Sequence, residues 1–220
     1  MSYFRILIAA LSLSLLLTAQ DGPTHVIVTY RVYPEKRAPF RQNLYSYVNR
    51  LSHWKEQGTM GPFQVLVNSL VDDEAWETLI VARTGTRGLE LFRRFEQPEN
   101  SGIFNTTTIP ADLTAAGGDA DGAANAGIYL VMPYECQGGG AVEIGTRLVP
   151  LMNASLKADG LLGYRFFVPR YPGGRSWNAL LVLHFADWIA AGKAEPLTAK
   201  VSSEACREKV AVLAEAIATR

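Results

Sequence analysis

Arg83, Arg165 and His184 are the side chains of this 220-residue sequence best placed to do acid–base or anion-binding chemistry, because they interrupt stretches that otherwise read as buried strand. Leu79, Val81 and Arg83 alternate along one such stretch, Leu180, Val182 and His184 along another, and Gln64–Leu66 and Arg165–Phe167 share the same faces. A histidine among apolar neighbours can act as a general base near neutral pH, with an arginine holding an anionic substrate. A charged group on a face suited to burial must be paired, solvated or part of a site. Because Arg83 and His184 both stand at strand ends, simple snorkelling to solvent is the competing reading. Gln64, Tyr164 and Trp177 are the accompanying candidates for contact with a ligand. The three histidines, His25, His53 and His184, show no HxH or HxxxH spacing, so no metal site is expected. GxSxG, phosphate-loop and GxGxxG patterns do not occur, which leaves hydrolase and nucleotide-binding readings without support, and no cofactor is expected.

The elements that must hold these residues occur twice. Residues 63–86, FQVLVNSLVDDEAWETLIVARTGT, align without a gap on 164–187, YRFFVPRYPGGRSWNALLVLHFAD, at an offset of 101, so that Val67 falls on Val168, Trp76 on Trp177 and Arg83 on His184. Upstream of each hairpin lies a strand, HVIVTYRVY at 25–33 and a second from Ile128 to Cys136, each followed by a helix. The first helix, about 35–57, places Phe40, Leu44, Val48, Leu51 and Trp54 on one face. The second, about 141–158, is expected to bury Val142, Gly145, Leu148, Met152 and Leu156 and to kink or divide at Pro150. Further helices are expected at 86–96 and 186–194. Residues 99–126, small, polar and without periodicity, read as a linker, and 203–219, carrying Cys206, Val210, Leu213 and Ile217, as a C-terminal amphipathic helix without a counterpart. The expected units are a first repeat at 21–98, the linker at 99–126, and a second repeat with its extra helix at 127–220.

Residues 1–20 combine Arg5, an apolar run from Ile6 to Leu17 and small residues after it, the pattern of a secretory signal peptide. The run is shorter than the roughly 20 residues of a membrane-spanning helix. The expectation is an exported protein, periplasmic or extracellular, with no membrane attachment after cleavage. Its 21 basic and 21 acidic side chains balance, and no basic face that would suit nucleic acid is apparent. At 48% hydrophobic residues, with nine Tyr, nine Phe and four Trp, there is enough material for one or two packed cores. Cys136 and Cys206 are the only cysteines; in an oxidising compartment they form either a disulfide or two buried thiols.

A unit of strand, helix, hairpin and helix is the split βαβ of ferredoxin-like folds. Two copies in one chain resemble the dimeric α+β barrel superfamily in a fused form, and the resemblance covers most of residues 25–195. It implies an α+β fold in which two ferredoxin-like repeats form a pseudo-dimeric antiparallel barrel, either monomeric or further paired as a homodimer. That superfamily includes cofactor-free monooxygenases, haem-degrading and chlorite-converting proteins and small isomerases. Their ligands sit between sheet and helices or close to the barrel interior. The resemblance therefore implies binding of a small apolar or aromatic ligand in a barrel pocket, with a cofactor-free oxygenase or isomerase as the alternative and a structural module as the third. In haem-using members an axial histidine comes from a helix or nearby loop. His53 is the residue that could be cast in that role, but no surrounding motif accompanies it.

Overall fold

The computed structural model describes residues 24–70, 75–84, 90–92, 102–119, 127–158, 160–171, 176–194 and 204–219. The chain runs β1 (Thr24–Val32), a 3-10 turn at Pro34–Lys36, α1 (Arg37–Glu56), β2 (Met60–Asn68), β3 (Thr78–Thr84), β4 (Ile103–Gly118), β5 (Ile128–Cys136), α2 (Gly140–Ala158), β6 (Leu161–Pro169), β7 (Ala179–Phe185), α3 (Trp188–Gly192), β8 (Cys206–Glu208) and β9 (Val212–Thr219). Every strand pairing is antiparallel. The spatial order β7-β6-β4-β1-β3-β2-β9-β5 closes on itself because β5 also pairs with β7, and β8 lies alongside the far end of β5. Eight strands therefore form a closed barrel. Closure removes the open edges at which a sheet would pair with other chains.

Two four-strand sets, β4-β1-β3-β2 and β9-β5-β7-β6, make up this ring. Each set has a helix on its outer face. Phe40, Leu44, Tyr47, Val48 and Leu51 of α1 pack on Val26, Val28, Tyr30, Val65 and Ile80. Ile144, Leu148 and Met152 of α2 pack on Met132, Tyr134, Phe166, Leu181 and Leu183. The inward side chains form a third core to which all eight barrel strands contribute: Ile27, Leu66, Leu79, Val81, Ile109, Ala111, Tyr129, Val131, Phe167, Leu180, Val182 and Ala214. Strand alternation sorts each sequence segment between lumen and helix layers. This explains why strands buried on both sides are apolar almost throughout. β2 and β6 begin and end 101 residues apart, as do β3 and β7, while β1 and β5 differ by 104.

Two expectations are overturned. Residues 103–118 of the supposed linker form the longest described strand, which bridges β1 through its first half and β6 through its second. Its small residues fit a close approach: a Cβ on Gly117 would lie 2.5 Å from Cε1 of Tyr164, and Gly118 has φ +65°. The supposed C-terminal helix is instead β8 and β9. β9 inserts between β2 and β5, with Leu66 opposite Ala216 and Leu130 opposite Leu213. Ala214 faces the lumen while Ile217 packs towards α1, so both of its faces are covered and little polar contrast marks the strand.

Smaller differences concern the helices. α2 runs through Pro150 as one element, with Pro150 on its exposed side, and it buries Ile144 where Val142 was expected. Of the helix expected at 86–96 only 90–92 is described; it is helical, and Phe92 meets Trp54 edge-on at 5.8 Å. The helix expected at 186–194 is α3, capped by Asp187, whose side chain accepts from the Ala190 N–H at 2.8 Å. The signal-peptide residues lie outside the described structure, as do both hairpin turns, 71–74 and 172–175.

Cys136 and Cys206 are joined by a disulfide, at directly opposed positions of β5 and β8. Burial, assisted by Tyr47 and Glu208 respectively, pushes the phenols of Tyr30 and Tyr134 far above the usual tyrosine range. Both stay protonated in the folded state, whereas an unfolded tyrosine ionises near pH 10. Their contribution to stability is thus complete below about pH 10 and is lost as pH rises towards their folded-state values. An alkaline titration should show these two phenols ionising only together with loss of the native circular dichroism. Reversible ionisation of Tyr30 and Tyr134 with the native circular dichroism retained would contradict this.

Candidate functional site

The eight-stranded barrel places the candidate residues in two different environments. Arg83 and His184 are the penultimate residues of β3 and β7, on the lumen side by alternation with Val81 and Val182. Arg83 is exposed. His184 is 3% exposed and lies flat on Tyr129, with ring centroids 4.4 Å apart. Gly127 packs directly against Nε2 of His184, where a Cβ would collide, and its φ of +148° further favours glycine. Arg165 and Gln64 meet across the lumen, Nη2 of Arg165 donating to Oε1 of Gln64, while the guanidinium sits 5.8 Å from the Phe167 ring centroid. His25, opposite Arg83 in the β1–β3 ladder, touches the same ring edge-on at 5.4 Å.

The structure does not bring the other two candidates to this place. Tyr164 faces outward under α2, where its hydroxyl donates to Asn153 Oδ1 at 3.3 Å. Trp177, like Trp76, packs against the lumen core from the approach to its strand, at the opposite end from Arg83 and His184.

The larger described cavity lies elsewhere, between α1 and the sheet. About 490 Å³ in volume, it is walled by Leu44 and Tyr45 of α1, Val67 of β2, Ile217 of β9 and Trp188 of α3, with Arg41, Gln42, Asn68, Ser69 and Glu215 as polar lining. Tyr45 and Trp188 remain 64% and 45% exposed. Large aromatic surface left in solvent beside a cavity is what a planar apolar ligand would cover. Arg41 is held in place from behind. Its Nε lies 2.5 Å from Glu77 Oε1, and its Nη2 donates to the Asn68 carbonyl at 3.0 Å. Glu77, buried at 5% exposure, is shared with Arg37 Nε at 3.2 Å. Sequence reasoning missed this cleft because its walls come from four elements, one of them the strand β9 that resembled a helix. A second, smaller cavity of about 200 Å³ lies by Arg31, Tyr33, Arg37 and Phe104.

The closed antiparallel barrel with helices on its outer faces is the dimeric α+β barrel fold, and solved structures of that class are similar over most of the chain. An anthrone oxidase-like protein superposes with a TM-score of 0.59 at 12% identity, covering 92% of this chain and 94% of its own. A chlorite dismutase variant from Candidatus Nitrospira defluvii gives 0.58 at 8%, covering 91% and 93%. A haem-binding protein from Thermus thermophilus gives 0.56 at 14%, covering 89% and 91%. Comparison of the sequence with protein-family profiles and with curated proteins gives no match.

Haem fits neither described cavity well. His53 is exposed on α1 and bonded to Gln57 at 2.8 Å. His25 and His184 face the packed lumen. Of the side chains that commonly ligate haem iron, only tyrosine lines the two cavities. Among the described residues no cluster of His, Cys, Asp and Glu suits a metal ion, and no helix is long and apolar enough to cross a membrane.

Proposed function

We propose that this chain is a fused pseudo-dimer of two ferredoxin-like units and that it binds a small apolar or aromatic molecule in the cleft between α1 and the sheet. The observation that carries the binding reading is the cavity of about 490 Å³ flanked by the exposed rings of Tyr45 and Trp188 and backed by the anchored Arg41. The equal spacing of β2/β6 and β3/β7, and the contact of Gln64 with Arg165 at that same spacing of 101, support duplication. A residue touching its own counterpart is what a two-fold relation produces. Residues 1–20 are proposed as a secretory signal, a reading the Cys136–Cys206 disulfide supports because such bonds persist in oxidising compartments.

Thermal-shift and native mass-spectrometric measurements with quinones, phenols and fatty acids test the binding. At least one aromatic compound should stabilise the protein, and Tyr45→Ala or Trp188→Ala should each weaken it about tenfold, or about 1.4 kcal/mol. Both side chains are exposed, so the fold should be retained. If no compound binds, or if neither substitution alters binding, the cleft is not the site. The oxygenase or isomerase reading draws less support, because His184 is stacked under Tyr129 and lines neither described cavity. The interaction-module reading loses its motive, since it relied on a C-terminal helix that is strand β9.

A further inference from the structure

The cleft makes no use of the polar groups on the opposite face of the sheet. We infer that one end of the barrel lumen is a second site, which binds the carboxylate of a small organic acid between Arg165 and Gln64, with Arg83, His25 and His184 around its mouth. Because every neighbouring strand pair in the ring is antiparallel, β3 and β7, four strands apart, run in the same direction. Their penultimate residues Arg83 and His184 therefore stand at the same end. The ladders add His25 beside Arg83 and Tyr129 beside His184. Arg165 and Gln64 lie one layer deeper, over Phe167.

Gln64 points most directly to a missing ligand. Its side chain is 1% exposed, and the bond from Arg165 to Oε1 fixes which end of the amide is nitrogen. Nε2 is then a buried donor with no acceptor among the described residues. An unmade buried hydrogen bond is costly, and native structures rarely keep one without a reason. A carboxylate oxygen on the lumen axis would accept from Nε2 while facing the Arg165 guanidinium, whose planar fork matches that group. Around the mouth, Arg83 and the imidazoles of His25 and His184 supply further donors or positive charge. The buried side chains Leu66, Val81, Phe167 and Val182 bound the site from below, so the ligand proposed is a short acid.

Titration of the protein with propionate, followed by the imidazole NMR resonances of His25 and His184, tests the site, with propionamide as the neutral control. Saturable shifts of both histidines with propionate and not with propionamide are expected. Arg83→Gln, at an exposed position, should weaken binding about tenfold. Gln64→Glu places a carboxylate beside Arg165 and should abolish the response, whereas Tyr45→Ala in the cleft should leave it unchanged. The inference is overturned if propionate produces no saturable shift, if propionamide shifts both resonances equally, or if Arg83→Gln binds propionate as the parent does.

Discussion

Glu77→Ala is expected to destabilise the protein by about 3–5 kcal/mol, the loss typical when one member of a buried ion pair is removed. Glu77 ties three elements together. Its backbone N–H donates to the Tyr30 carbonyl at 2.8 Å and its carbonyl accepts from the Asn68 N–H at 3.0 Å, joining the ends of β1 and β2. Its carboxylate takes Arg37 and Arg41 from α1. Without it, the Arg37 side chain, 14% exposed, keeps a charge that has lost this carboxylate and is largely cut off from water. Arg41, at 45%, can turn to solvent, so Arg41→Ala should cost no more than about 1 kcal/mol. Urea unfolding of the two variants measures the contrast. Equal losses, or a Glu77→Ala loss under about 1 kcal/mol, would show that the cluster is not the anchor of α1.

Replacing both cysteines with alanine should have a similar effect by a different route. The disulfide closes a segment of sequence separation 70. On the chain-entropy estimate a link of that span stabilises by about 4 kcal/mol, through restriction of the unfolded chain. For a chain of this size that corresponds to a fall of about 10 °C in Tm. Calorimetry of the Cys136→Ala/Cys206→Ala protein, and of the parent after reduction, should give matching shifts. A change under about 2 °C in both would mean that the bond constrains little beyond what the β5–β8 pairing already fixes.

Both helices with long apolar faces, and the strands that carry strong alternation or β-branched runs, could be read from the sequence because each follows a single period. β4 and β9 could not. In β4 the run Ala115, Ala116, Gly117 and Gly118 suggested a linker, yet Gly117 is small because the Tyr164 ring lies against it. In β9, Leu213 and Ile217 fall four apart as on a helix, while the intervening Ala214 and Ala216 are lumen residues kept small by the packed interior. Both strands join one four-strand set to the other, so their environment comes from distant sequence. The site divided in the same way. Arg83, Arg165, Gln64 and His184 could be placed on one face by alternation, but Tyr164 differs from Arg165 by one residue and so faces the other side. The cleft at Tyr45 and Trp188 depended on β9 and could not be foreseen.

The position of β9 also bears on how the protein is made. Thr219 pairs with Gln64, which leaves the ribosome more than 150 residues earlier. Until β9 emerges, the flank of β2 and the Ile128–Val131 part of the facing flank of β5 lack their partner, and the cylinder stays split along one seam. A chain lacking Val212–Thr219 would make that condition permanent. The product would keep most of its core and carry two unpaired strand margins, each able to recruit the same margin of another truncated chain.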